Sequence, residues 1–329
     1  MKDYDVVVIG SGIGGLCCGA LLSLSGKKVL VCEAHYAPGG VAHSFIRNGY
    51  KFESGPSLWN GLNSPSNQSP LGQILYLLDE NVEIKKYKGW KVILPESSFD
   101  LEVGDIPFRK KISELRGNIA LEEWNSFTAA IEPLSKVISK MPLLTTSPQN
   151  LNPVEILNLT TKILPDIKQL LHLREGFGDI ANKYLNDPFL KNWVDLLSFL
   201  ISGMSMYETN TAAMATLFSE WFNHDAHLEY PLGGSESVVN ALIRGLNKNG
   251  GEIRLSSKVK KINFSNDLAN GVTLENGHKI SCNYIVTNCD IWNKTNLFPA
   301  GISAKLKQKE DNIKECKSFL HIHLGFDAS

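Results

Sequence analysis

The chain has 329 residues, 33 Lys and Arg against 34 Asp and Glu (net charge −1), 43 % hydrophobic and 20 % charged residues. At ~150 residues per domain, this length predicts about two domains whose core needs no disulfide or metal staple. The composition excludes wholesale disorder, and the charge balance excludes a global field that would draw in nucleic acid; no apolar run is long enough to span a bilayer.

In chain order, residues 5–9 are a short β-branched run that predicts a strand buried on both faces. Gly10-Ser11-Gly12-Ile13-Gly14-Gly15 follows, then Leu16, Ala20, Leu21 and Leu24 at helical spacing, with Gly26 as the stop. Residues 28–32 predict a second buried strand, so 3–33 reads as one βαβ unit. Residues 60–72, rich in Asn, Ser, Pro and Gly, predict a loop. Short alternating strands are expected at 82–87, 90–94 and 99–103. The stretch 119–222 reads as mainly helical, broken at Pro142, Pro148, Pro153, Pro165 and Pro188.

Within that stretch Ile156, Leu157, Ile163, Leu164, Ile167, Leu170 and Leu171 form an amphipathic stripe. Core packing is its default reading and a membrane surface the alternative. Ser235 is expected to cap a helix carrying Val238, Val239, Ala241, Leu242 and Leu246. Strands are predicted at 252–255, 259–264, 271–274 and 279–281, with hairpin turns at Asn270-Gly271 and Asn276-Gly277, and a further buried strand at 284–288. Cys17, Cys18, Cys32, Cys282, Cys289 and Cys316 form no C-x-x-C pair. With no signal peptide visible, they read as reduced, mostly buried thiols of a cytoplasmic protein.

Gly10, Gly12 and Gly15 fit G-x-G-x-x-G. The first allows the tight strand-to-helix turn, the second lets backbone approach a pyrophosphate, and the third lets helix and strand pack closely. The pattern lies between a predicted strand and helix, whose N-terminus offers free N–H groups to phosphates. Glu33 ends the second strand 18 residues after Gly15. A carboxylate there can accept bonds from both ribose hydroxyls and disfavours a 2′-phosphate. Pro38-Gly39-Gly40 suggests a second close backbone approach, and Ser54-Gly55-Pro56-Ser57 is a small-residue stretch that could pass near a flavin ring or form a plain turn. His224 and His227 lack further ligands at metal spacing, so no metal is expected. His321 and His323 share one face of a predicted strand, and the tryptophans read as core.

Three segments together resemble the N-terminal FAD site of the phytoene desaturase-like flavoproteins, nearest to carotenoid cis–trans isomerases and retinol saturases. They are Asp5-Val-Val-Val-Ile-Gly-Ser-Gly-Ile-Gly-Gly-Leu, Glu33-Ala-His-Tyr-Ala-Pro-Gly-Gly-Val-Ala-His-Ser and Phe52-Glu-Ser-Gly-Pro-Ser. Tyr230-Pro-Leu-Gly-Gly-Ser and Val259-Lys-Lys-Ile are similar to later motifs of that group, and the resemblance runs over nearly all of the chain. It implies an α/β fold: a Rossmann-like FAD domain of glutathione-reductase type (1–58 and 223–295) with an inserted mixed α+β substrate domain (59–222 and 296–329). It implies FAD as cofactor, held by Gly10, Gly12, Gly14, Gly15, Glu33, Gly39, Gly40 and Gly55, with the backbone of Val259 at the adenine end.

The implied function is redox or isomerisation chemistry on an apolar polyene, with contact to a membrane surface. No general acid or base stands out. Amine oxidases and many desaturases place Arg after the glycine pair, where this chain has Val41-Ala42, which weakens the oxidase alternative and leans toward the isomerase-like branch. The family's closing Gly-Asp element finds no counterpart after Asn288. The chain is therefore expected to stop part way through the substrate domain, to need a second polypeptide for full activity, or to be an inactive FAD-binding remnant or subunit.

Overall fold

The first secondary structure follows directly from side-chain branching: Tyr4–Ile9 forms strand β1 and Val29–Cys32 strand β2, with helix α1 at Ile13–Leu24 between them. In this computed structural model the described residues are 2–56, 58–63, 69–95, 97–140, 152–166, 172–173, 175–222, 226–290, 292, 295–299, 307–308, 310–311, 313 and 320–327. Next come hairpin strands β3 (Ser44–Arg47) and β4 (Tyr50–Glu53), helix α2 (Pro70–Leu77), β5 (Ile84–Tyr87), β6 (Gly89–Ile93) and β7 (Ser98–Glu102). Helices α3 (Asp105–Lys140), α4 (Pro153–Ile163), α5 (Phe177–Tyr184), α6 (Pro188–Ser202) and α7 (Thr211–Trp221) follow, then β8 (Leu228–Pro231), helix α8 (Ser235–Lys248) and strands β9 (Glu252–Arg254), β10 (Val259–Ser265), β11 (Leu268–Leu274) and β12 (Lys279–Thr287).

The chain divides into two compact units. The first comprises the described residues of Met1–Lys85, Glu229–Glu315 and Leu320–Ser329. Its six-stranded sheet has the order β10-β11-β12-β1-β2-β9. β12, β1, β2 and β9 run parallel, and β10–β11–β12 form an antiparallel meander. On one face Val6, Val8, Val29 and Val31 pack against Leu16 and Ala20 of α1 and Val238, Val239 and Leu242 of α8. The other face buries Val7, Ile9, Leu30 and Cys32 against Val259, Ile262, Val272 and Ile280 of the meander. A parallel sheet covered on both faces explains why its strands are continuously apolar.

Several sequence expectations change. The segments 279–281 and 284–288 are one strand, β12: its first half pairs antiparallel with β11 and its second half parallel with β1. Asn270-Gly271 is not a turn. Gly271 lies inside β11, where a Cβ would press on the Ile280 carbonyl, and the chain reverses at Asn266 and Asp267, both with positive φ. Residues 59–85 were placed in the inserted domain, but Leu62, Ile74, Leu75, Leu78 and Val82 share the core of β1 and α1, so the boundary between units falls at Lys85. The histidine segment, 320–327, is extended without ladder pairing. His323 packs 5.2 Å from Phe45 and 5.1 Å from Phe52 (ring centroids), and Tyr50 Oη donates to Asp327 Oδ1 at 2.6 Å.

The second unit, Lys86–Leu228 with its described residues, is helical around an aromatic core of Phe108, Trp124, Phe127, Phe177, Trp193 and Phe218. The hairpin β6–β7 contributes Phe99 and Leu101, which alternate inward. The helical region begins at Asp105, earlier than the expected 119, and α3 is broken by a positive φ at Gly117. Pro153 and Pro188 open helices rather than break them: a first-turn N–H has no intrahelical acceptor, so proline loses nothing there. Pro142 and Pro148 lie outside the described residues, as do Ile167, Leu170, Leu171, His224 and Cys316. Of the apolar stripe, Ile156, Leu157 and Leu164 are exposed, as is the neighbouring Val154.

Among the described residues no helix is long and apolar enough to cross a membrane. The described cysteines are free, and burial pushes the thiols of Cys17 and Cys32 up to about 12 and about 11.

Candidate functional site

The site grows from the end of β1. Gly10 turns the chain with φ +99°, and its N–H donates to the Cys32 carbonyl at 2.8 Å, which ties the loop to β2. Gly12 is the N-cap of α1 and no side chain caps the helix, so its first-turn N–H groups are left for an anion at the positive end of the dipole. A Cβ on these glycines meets neighbours of very different rigidity. A Cβ on Gly15 would penetrate the Gly10 carbonyl oxygen, one on Gly12 would lie 3.1 Å from Asn288 Nδ2, and one on Gly14 2.9 Å from Asn288 Oδ1.

The second glycine pair lies against this loop. Gly39 N donates to Ser11 O at 3.0 Å, and Gly12 and Gly39 form a parallel bridge. Both Gly39 (φ +108°) and Gly40 (φ +60°) adopt left-handed backbone, and a Cβ on Gly40 would sit 3.0 Å from Gly12 Cα. Gly55 packs behind them: a Cβ there would meet the Val41 carbonyl oxygen at 2.5 Å.

Glu33 lies beside the same loop. Its Oε2 accepts Ser11 N and Ser11 Oγ, each at 2.7 Å, and its Oε1 accepts His35 N at 2.8 Å. Burial alone would raise its pKa, but the bonds from His35 and Ser11 outweigh it and hold the carboxyl below its ordinary value. Three donors on a carboxylate with about four acceptor positions leave capacity for a ribose hydroxyl. The Glu33–His35 backbone also anchors the approach to β10: Ser257 N donates to Glu33 O at 2.6 Å and Ser256 N to His35 O at 2.9 Å. Val259 opens β10 two residues after Ser257 and is buried.

Four contributors were not apparent from the sequence. Asn288, just past β12, places its amide over Gly12 and Gly14. Ser11 supplies two of the three bonds to Glu33. Glu53 caps α8 in place of the expected Ser235, which is the first helical residue: Glu53 Oε2 accepts Ser235 N at 3.1 Å. His43 is oriented by two bonds, Nδ1 to the Gly40 carbonyl at 2.8 Å and Nε2 to Ser54 Oγ at 3.0 Å. A carbonyl only accepts, so Nδ1 carries the proton. The only sequence signal for these was the small-residue character around Ser54-Gly55. Among the described residues no three His, Cys, Asp or Glu side chains cluster as metal ligands.

This arrangement is a βαβ dinucleotide cradle with a second glycine loop laid across it. The family description "flavin containing amine oxidoreductase" matches residues 13–329, and the chain belongs to that family. Prolycopene isomerase, chloroplastic, of Daucus carota is 28 % identical over 338 residues, covering 98 % of this chain and 52 % of the relative. The 4,4'-diapophytoene desaturase (4,4'-diapolycopene-forming) of a Methylomonas species is 25 % identical over 343 residues, covering 98 % of this chain and 61 % of the relative. An oxidoreductase from Methanosarcina mazei superposes with a TM-score of 0.64 at 16 % identity, over 94 % of this chain and 65 % of that one. The chain spans about half the length of the first of these relatives.

The chain thus carries the motifs of an FAD-dependent oxidoreductase family with carotenoid isomerases and desaturases among its relatives, as the resemblance implied. The cofactor is FAD, and the residues present fit it: two closely packed glycine loops, uncapped helix N–H groups and an ionised carboxylate one strand away.

Glu33→Gln is expected to weaken FAD binding by ~1–3 kcal/mol, the worth of a charge-assisted bond, as read by titration of flavin fluorescence. The same substitution changes acid behaviour. Because the folded pKa lies below the ordinary 4.5, the Glu33 contribution to stability is present above that value and is lost as pH falls through the folded pKa. Denaturant midpoints of Glu33→Gln should fall less steeply than wild type over that acidic range.

Proposed function

We propose that this chain forms the FAD-binding part, and some of the substrate-binding part, of an enzyme that isomerises, saturates or desaturates a carotenoid or related isoprenoid polyene. In this reading Gly10, Gly12, Gly14 and Gly15 face the pyrophosphate, with Gly39 and Gly40 making the second backbone approach. Glu33 takes the ribose, Gly55 lies toward the flavin ring, and Val259 offers its backbone to the adenine. The flavin supplies the electron chemistry when bound, and the chain supplies binding, orientation and exclusion of water.

The observation that carries the reading is the alignment of 98 % of this chain with a prolycopene isomerase; Val41-Ala42 after the glycine pair, where amine oxidases and many desaturases place Arg, leans toward isomerisation within it. The aligned region spans 52 % of that relative. A liposome assay with a cis-carotenoid and reduced FAD tests the reading, with and without a co-expressed second half from a relative. Polyene turnover is expected. Oxidation of a primary amine or amino acid with release of hydrogen peroxide, and no change in the polyene, would favour the oxidase instead.

The same reading has the enzyme, otherwise cytoplasmic, meet a membrane surface peripherally to reach a lipid-soluble substrate. In support, Val154, Ile156, Leu157 and Leu164 present an exposed apolar stripe on and just after α4. The double substitution Ile156→Asp, Leu157→Asp is expected to reduce co-sedimentation with liposomes severalfold. Because both residues are already exposed, it should change folding stability by no more than ~0.5 kcal/mol per site. Unaltered sedimentation would remove the stripe from the reading.

A further inference from the structure

On the meander face of the first unit, away from the glycine loop, lies a polar cavity of about 250 Å³ lined by Asp3, Tyr4, Lys28, Arg254, His278 and Lys279. Tyr4 begins β1, at the end opposite the glycine loop; the Arg254 backbone lies at the other end, pairing with Cys32 and accepting Glu33 N at 2.9 Å, and its side chain reaches back to Tyr4.

The cavity is built around the Tyr4 phenol. Arg254 Nη2 donates to Tyr4 Oη at 2.6 Å, and Tyr4 Oη donates to Glu252 Oε2 at 2.8 Å. The Arg254 guanidinium lies 5.6 Å and Lys28 Nζ 5.0 Å from the Tyr4 ring centroid. Glu252 balances part of the Arg254 charge at 3.3 Å. Asp3 is spent on Ser281, accepting its N and Oγ at 2.8 Å each. Lys28 and Lys279 form no ion pair among the described residues. With His278 neutral, three cations against one carboxylate leave the lining at a net +2 in a chain of net −1. Such a local excess of cations, with a planar guanidinium fork, suits a doubly charged oxyanion better than a singly charged carboxylate, which gains less beside Asp3.

We propose that this cavity binds a phosphate monoester dianion, either free in solution or as the exposed headgroup of an anionic lipid. The proposal is independent of the polyene reading.

The test uses the protein saturated with FAD, so that phosphate cannot enter the glycine cradle, in a slightly alkaline buffer of low ionic strength. One arm titrates inorganic phosphate by calorimetry. The other measures co-sedimentation with phosphatidylcholine vesicles with and without phosphatidic acid. Lys28→Gln with Lys279→Gln is compared with a charge-matched control, Lys183→Gln with Lys191→Gln, on the second unit. Lys28, Lys279 and Lys183 are exposed and Lys191 is half-buried, and retained flavin absorbance reports an intact first unit. The Lys28 and Lys279 pair is expected to weaken binding about tenfold or more while the control stays close to wild type. Calorimetric binding identifies a free phosphate; binding confined to phosphatidic acid vesicles, with the same dependence on Lys28 and Lys279, identifies a headgroup. Absence of binding in both arms, or equal weakening by the control pair, overturns the proposal.

Discussion

Gly15→Ala is expected to destabilise the first unit by more than ~3 kcal/mol, at the upper end of overpacking penalties. The added methyl has only the Gly10 carbonyl oxygen and the Asn288 side chain to move into. Asn288 could swing aside. The carbonyl cannot, because Gly10 is held by its N–H bond to Cys32 at 2.8 Å and by a φ of +99°. Relief would require α1 to lift from β1, which opens the core of Leu16, Ala20, Val6 and Val31. Gly12→Ala is the contrasting case: its nearest obstacle is the Asn288 amide at 3.1 Å, a side chain that can yield. That variant should fold with nearly wild-type stability and still lose FAD, because the methyl occupies the pyrophosphate approach. Urea unfolding separates the two, and a Gly15→Ala variant as stable as Gly12→Ala would show that helix α1 is not pinned as described.

Trp124→Ala is expected to cost ~3–5 kcal/mol in the second unit, the range for deleting a fully buried large aromatic. The indole is 0 % exposed. It meets Phe108 edge-on at 4.8 Å and Phe127 at 5.4 Å between ring centroids, and its Nε1–H donates to Asp105 Oδ1 at 3.0 Å. Asp105 opens α3 and also pairs with Arg109, so the indole ties the start of the helix to its own second half beyond Gly117. Trp124→Phe removes the hydrogen bond and only part of the buried ring, so its cost should be smaller, ~1–3 kcal/mol. Loss of cooperative unfolding by far-UV circular dichroism in the alanine variant, with retention in the phenylalanine variant, is the expected pattern. Equal costs for the two would assign the stability to the hydrogen bond rather than to packing.

The sequence by itself determined what is encoded within a few residues. β-branched runs specified β1 and β2, helical spacing specified α1, and the glycines with Glu33 announced a dinucleotide cradle, because each feature acts through local sterics or a spacing that a βαβ unit must satisfy. Tertiary structure decided what depends on partners far along the chain. Asn288 covers a loop some 270 residues earlier, and Glu53 caps a helix 182 residues later, displacing the local candidate Ser235. A sequence pattern also states that a face is apolar without stating what it meets. The stripe whose default reading is core has Ile156, Leu157 and Leu164 exposed, whereas Leu62, in the stretch 60–72 that reads as a loop, is buried with Leu75 and Leu78 in the core of α1 and α8. Burial depends on which surfaces remain uncovered once every element is in place, and periodicity along one segment carries no record of that.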